Sequence, residues 1–190
     1  MSGQNIVTPS AESLAASATA ASKKGLPPVH LWDPPFCGDL DMQIKRDGTW
    51  FYQGTPIGRA GLVRLFSTIL KREGDDYFLV TPVEKVGITV EDAPFVAIDF
   101  EATNDGLLFT TNVGDTALAG PQHPIRVSYA ADGEPSPYVL IRSNLEALID
   151  RKSFYRLVDL GETRLHNEEE WFGVTSGNSF FPIIRASDLL

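Results

Sequence analysis

Ile57-Gly58-Arg59-Ala60-Gly61-Leu62-Val63-Arg64-Leu65-Phe66 and Leu140-Ile141-Arg142-Ser143-Asn144-Leu145-Glu146-Ala147-Leu148-Ile149 both read apolar-x-Arg-x-x-Leu-x-x-Leu-apolar. Self-similarity at a distance is the first sign of a duplicated architecture. Outward from these stretches, Asp76-Tyr77-Phe78-Leu79-Val80-Thr81 matches Glu170-Trp171-Phe172-Gly173-Val174-Thr175, and an Asp-Gly turn precedes each arginine, at Asp47-Gly48 and Asp132-Gly133. The shared order predicts two similar halves, each with hairpin, arginine, helix and acidic-aromatic strand. The two arginines stand just before an expected helix start, where the backbone's partial positive charge disfavours a cation. Each therefore calls for a negative partner: a neighbouring carboxylate, or an anionic ligand held also by the first-turn N–H groups.

The remaining pattern is rich in short strands. Met42 and Ile44 alternate before Asp47-Gly48, and Trp50 and Tyr52 after it, which predicts a hairpin. Leu62, Leu65, Phe66, Ile69 and Leu70 fall at helical spacing, with Gly74 as the expected stop. Val96 to Phe100 with Leu107 to Thr111, Ile125 to Ala130 with Tyr138 to Ile141, and Trp171 to Thr175 with Phe180 to Ile184 predict three further hairpins. Ser143-Asn144-Leu145-Glu146 reads as a capping box opening a second helix with the stripe Leu145, Leu148 and Ile149, and Phe154, Leu157 and Val158 repeat that spacing before Gly161. The expected class is α+β: two similar small domains of antiparallel strands with short helices. Residues 1–25, rich in Ala and Ser, are expected to be a mobile arm, 26–92 an N-terminal α+β domain and 93–190 a C-terminal β-rich domain.

Composition limits the function. A formal charge of -9 over 190 residues argues against nucleic-acid binding, which depends on Lys and Arg neutralising phosphates. The lone Cys37 suits a reducing compartment, so a cytoplasmic location is expected. No apolar stretch approaches the roughly 20 residues needed to cross a bilayer, so no membrane insertion is expected.

Catalytic signatures are missing: the sequence contains no G-x-x-x-x-G-K-[ST], G-x-G-x-x-G or G-x-S-x-G. His30, His123 and His166 lack metal-ligand spacing, and neither a metal nor another cofactor is expected. Asp39-Leu40-Asp41 puts two carboxylates on one face of a strand, a pattern more often solvated than catalytic. Glu84-Lys85 and Glu91-Asp92 place charges on loops beside strands. Thr111-Asn112-Val113-Gly114-Asp115 gathers hydroxyl, amide and carboxylate groups around a glycine, as an Asx turn or a ligand-contacting loop would.

Asp47-Gly48-Thr49-Trp50-Phe51-Tyr52, Gly54-Thr55-Pro56-Ile57, Leu79-Val80-Thr81-Pro82-Val83-Glu84-Lys85, Val90-Glu91-Asp92-Ala93-Pro94-Phe95 and Thr111-Asn112-Val113-Gly114-Asp115 together resemble a proteobacterial family described only as a domain of unknown function. The resemblance runs from about Pro28 to the C-terminus and marks the chain as bacterial. It implies a duplicated α+β core, a C-terminal domain like a pleckstrin-homology barrel, a ligand site at the domain interface and a signalling role. It supplies no reaction, cofactor or catalytic residue.

The combined expectation is a non-catalytic ligand-binding or signal-transduction module with its site between the two domains. Arg59, Glu84, Lys85, Asp92, Asn112, Asp115 and Arg142 are the candidate lining, and a small anionic ligand or a protein segment is the candidate partner. An enzyme using carboxylates such as Asp39, Asp41 or Glu91 in a cleft is the alternative. A second alternative is an interaction scaffold exposing Trp171, Phe172, Phe180 and Phe181.

Overall fold

In the computed structural model, which describes residues 8–189, Asp47-Gly48 turns the chain as its chemistry dictates. Gly48 takes a φ of 90°, and the Thr49 N–H donates to Asp47 Oδ1 at 2.9 Å, an Asx turn. The turn joins β1 (Phe36–Ile44) to β2 (Trp50–Tyr52), which continues into β3 (Thr55–Pro56). Helix α2 (Ala60–Ser67) then leads to a second meander of β4 (Leu70–Glu73), β5 (Asp76–Val80) and β6 (Lys85–Val90). The two meanders join in one six-stranded sheet ordered β3-β2-β1-β6-β5-β4, with β1 and β6 parallel at its centre and antiparallel pairing elsewhere. Helix α2 covers this sheet with Phe66, which is fully buried and stacked on Trp50, ring centroids 6.3 Å apart.

The chain divides into two compact units, one ending at Glu91 and the other beginning at Asp92. The second repeats the sheet of the first. Strands β7 (Phe95–Thr103), β8 (Gly106–Thr111) and β9 (Thr116–Leu118) form one meander; β10 (Ile125–Tyr129), β11 (Pro135–Arg142) and β12 (Leu145–Ile149) form the other. Their order is β10-β11-β12-β7-β8-β9, with β7 parallel to β12. Read from the opposite edge, this is the order of the first sheet. The chain continues through α3 (Arg151–Asp159) into a three-stranded sheet of β13 (Glu162–His166), β14 (Glu169–Ser176) and β15 (Ser179–Arg185). Buried Ser176 ties this smaller sheet to the larger one: its Oγ accepts from the Leu107 N–H at 2.8 Å and donates to the Ala119 carbonyl at 2.7 Å. No helix among the described residues is long and apolar enough to cross a membrane.

The α+β fold of two similar strand-rich halves is as expected, but the register of the repeat is not. Leu145–Ile149 is strand β12, paired with β11 and β7. Ser143, at a φ of 50°, lies in a tight hairpin turn instead of capping a helix. The third helix begins at Arg151, where Asp150 Oδ1 accepts from the Ser153 N–H at 2.8 Å. Arg59 is therefore the N-cap of α2, whereas Arg142 ends a strand, and the two are not equivalent. Likewise Asp76–Val80 is β5, with Thr81 just beyond it, and Glu170–Thr175 lies in β14; the two strands have different places in their sheets. The matching elements are the first hairpins of each unit, where Asp41 and Asp47-Gly48 recur as Asp99 and Asp105-Gly106 at the same spacing.

Helix α2 also ends earlier than its apolar stripe. Ser67 and Thr68 donate their hydroxyls to the Arg64 and Leu65 carbonyls, each at 2.6 Å, and close the last turn. Ile69 and Leu70 are buried from the following turn and β4, and Gly74 serves the β4–β5 hairpin.

Of the segment expected to be a mobile arm, residues 1–7 lie outside the described residues. From Ser10 the segment is a packed helix. Ser10 and Ser13 form a reciprocal cap, and α1 (Ala11–Ala21) buries Leu14 and Ala18 completely. Small residues let this helix approach α2 closely, an anchor that a search for large apolar side chains overlooks.

Candidate functional site

Hydrogen-bond register on the outer face of the N-terminal sheet aligns Lys71, Phe78, Gly87 and Asp39 across β4, β5, β6 and β1. Gly87, the third member, has no side chain, so a recess opens between Phe78 and Asp39. The cleft there measures about 620 Å³ and is lined by Phe36, Asp39, Asp75, Asp76, Phe78, Lys85 and Gly87, with flanking residues of β5 and β6. Asp39 fills part of the gap: a Cβ added at Gly87 would lie 2.2 Å from Asp39 Oδ1. The register shifts flanking Asp39 and the φ of 95° at Gly38 set β1 locally out of regular pleat at this point.

Phe36 and Phe78 form one wall, edge to face with centroids 6.0 Å apart. The Lys85 ammonium sits 4.7 Å from the Phe78 ring centroid and 3.0 Å from Glu73 Oε2. Lys71 reaches the other oxygen of Glu73 at 3.3 Å. The hydrogen bond from Lys85, aided by Lys71, holds the Glu73 carboxyl below its ordinary range. A depressed folded-state pKa means that the pair's stabilisation is complete above the unfolded value of about 4.3 and is lost as pH falls through the lower folded value. Urea midpoints measured from pH 7 to pH 3 are expected to fall less steeply at the acid end for Glu73→Gln than for the wild type.

A row across the C-terminal sheet carries side chains throughout. Arg126, Tyr138, Leu148 and Val96 align across β10, β11, β12 and β7. This row also begins with a cation and an aromatic: the Arg126 guanidinium stands 4.3 Å over the Tyr138 ring and is held by both oxygens of Glu146. Leu148 and Val96 stand third and fourth in this row, and both carry side chains.

Of the seven candidates read from sequence, only Lys85 lines the cleft. Glu84 is buried in the β5–β6 connection, its N–H donating to Thr81 Oγ1 at 3.1 Å. Arg59 is exposed beside Ala15, Leu62 and Leu65, and among the described residues no carboxylate pairs with it; water screens its charge at the helix start. In the C-terminal unit, Asp92 accepts from the Tyr138 hydroxyl at 2.6 Å. Asn112 accepts from the Val96 N–H at 3.0 Å and so closes the end of the β7–β8 ladder. Asp115 pairs with Arg142 at 3.3 Å, and that guanidinium lies 5.1 Å over Phe95. Asp92, Asn112, Asp115 and Arg142 thus hold strands and turns together.

Among the acid–base candidates, Asp39 lines the cleft, whereas Glu91 accepts from the Arg46 N–H at 2.8 Å. Among the described residues no cluster of three metal-ligating side chains occurs. Trp171, Phe172, Phe180 and Phe181 form no single patch. Phe181 is buried and the other three are half-buried. The Phe172 ring lies over Gly161, and the Arg185 guanidinium over Trp171.

Family models for the N-terminal and C-terminal domains of DUF1285, a domain of unknown function, match residues 27–93 and 94–183. The chain belongs to the DUF1285 family. A DUF1285 protein from Silicibacter pomeroyi DSS-3 is 61% identical over 93% of this chain and 97% of its own, with a TM-score of 0.83. Another, from Shewanella baltica OS155, is 33% identical over 63% of this chain and 91% of its own, with a TM-score of 0.52. No curated protein matches the chain. Membership in DUF1285 agrees with the family resemblance seen in the sequence. What sequence reading missed at the site was Gly87, whose meaning depends on which residues stand beside it across β5 and β1.

Proposed function

We propose that this DUF1285 chain is a non-catalytic binding module whose site is the Gly87 cleft of the N-terminal unit. One observation carries the reading: Gly87 leaves a gap in its row across the first sheet, and Asp39, an aromatic pair and Lys85 line the cleft that opens there. A concave recess combining apolar walls with a few polar groups has the make-up of a small-ligand site. The aromatic wall beside charged groups suits holding a ligand. A signalling role fits the same site, with occupancy of the cleft as the input.

The test is an NMR amide-shift screen of the whole chain against a metabolite panel, repeated on Gly87→Leu, which fills the gap with a side chain. A ligand of the cleft should move the amides of Asp39, Phe78, Lys85 and Gly87 in the wild type and lose most of its affinity in the variant. Undiminished binding to Gly87→Leu would place the site elsewhere.

A further inference from the structure

Resting on that reading, we propose that the cleft takes an organic cation: a primary ammonium or guanidinium group carried on a flat apolar body. Charge carries the first step. The lining includes three carboxylates, Asp39, Asp75 and Asp76, and a single cation, Lys85. Lys85 is already committed to Glu73 at 3.0 Å. Arg72 approaches Asp75 only loosely, at 3.8 Å, and among the described residues no cation pairs with Asp39 or Asp76. An anion entering the recess would meet the Asp39 and Asp76 carboxylates, whereas a cation would be neutralised by them.

Geometry carries the second step. Asp39 Oδ1 lies over the β6 backbone at Gly87, beside the Phe36 and Phe78 rings. A group seated in the gap would touch carboxylate on one side and aromatic surface on the other, as ammonium and guanidinium groups do in aromatic cages. The protein contains an example of that contact in the Lys85 ammonium, 4.7 Å from the Phe78 centroid. Lys85 is thus a resident cation that an incoming one would displace or crowd, so its sign of effect is opposite to that of an anion-binding lysine.

The experiment uses the full chain at physiological salt, with tyramine and phenylguanidine as cationic probes, benzoate and AMP as anionic ones, calorimetry for affinity and amide shifts for location. A cationic probe is expected to shift the cleft amides. Its affinity should fall about tenfold or more in Asp39→Asn, which loses a charge-assisted contact, and should rise severalfold in Lys85→Met. Unchanged melting temperatures confirm that both variants fold. If benzoate or AMP binds the cleft and Lys85→Met abolishes that binding, the cation inference falls while the binding-module reading stands. If no probe of either sign shifts the cleft amides, or if shifts persist in Gly87→Leu, both fall.

Discussion

Phe66→Ala is expected to destabilise the N-terminal unit by about 4 kcal/mol, in the range for removing a large aromatic from a close-packed core. Phe66 is fully buried and stacks on Trp50 at an interplanar angle of 18°. It is the main apolar contribution of α2, a helix of only eight residues, too short to be stable without tertiary packing. The truncation removes both the transfer free energy of the ring and the surface that holds Trp50 in place. Ile69 and Leu70, also buried, are fixed by the turn and strand that follow and are poorly placed to collapse into the space. Equilibrium urea unfolding followed by tryptophan emission measures the loss; a change under 1 kcal/mol would mean that the helix is held by something other than this contact.

Gly173→Ala is expected to cost about 3 kcal/mol or more, beyond most single overpacking changes. Gly173 lies in β14, the central strand of the smaller sheet, between Glu162 and Pro182. An added Cβ would stand 2.2 Å from the Phe181 carbonyl oxygen and 2.9 Å from Pro182 Cα. Both are backbone atoms, so relief requires β14 and β15 to part. Gly161 differs, since what meets its Cβ is the Phe172 ring, a side chain that can turn aside. Thermal unfolding followed by near-ultraviolet circular dichroism, which senses the packing of Trp171, provides the measurement. A melting temperature within a few degrees of the wild type contradicts the prediction.

Turn chemistry made most of the fold legible. Asp47-Gly48, Asp105-Gly106 and Asp132-Gly133 each mark a hairpin through local requirements that nothing distant overrides: a positive-φ glycine in all three, with an Asx hydrogen bond at Asp47 and Asp132 and the Thr103 hydroxyl accepting from the Asp105 N–H. Leu145–Ile149 was illegible for a related reason. Ser143, Glu146 and the apolar residues at 145, 148 and 149 satisfy a capped helix, yet five residues alternating inward and outward satisfy a buried strand equally well. The neighbours β11 and β7 decide between them. Parallel pairing of β1 with β6 and of β12 with β7 is written in no local signal, since it joins residues far apart in sequence. That pairing also gives Gly87 its place beside Asp39, so the heart of the candidate site was hidden in a residue with no side chain to notice. Lys85 could be found because charge next to a strand end is visible in one dimension.

The parallel pair at the centre of each sheet has a topological corollary. Because its first and last strands run side by side in the same direction, each six-stranded sheet takes in the chain at one pole and releases it at the other. Only Glu91–Pro94 lies between the last strand of the first unit and the first strand of the second. Glu91 is fastened to its own unit through Ile44 and Arg46, and Asp92 to its own through Tyr138. The short link between the two similar sheets is thus fastened at both of its ends.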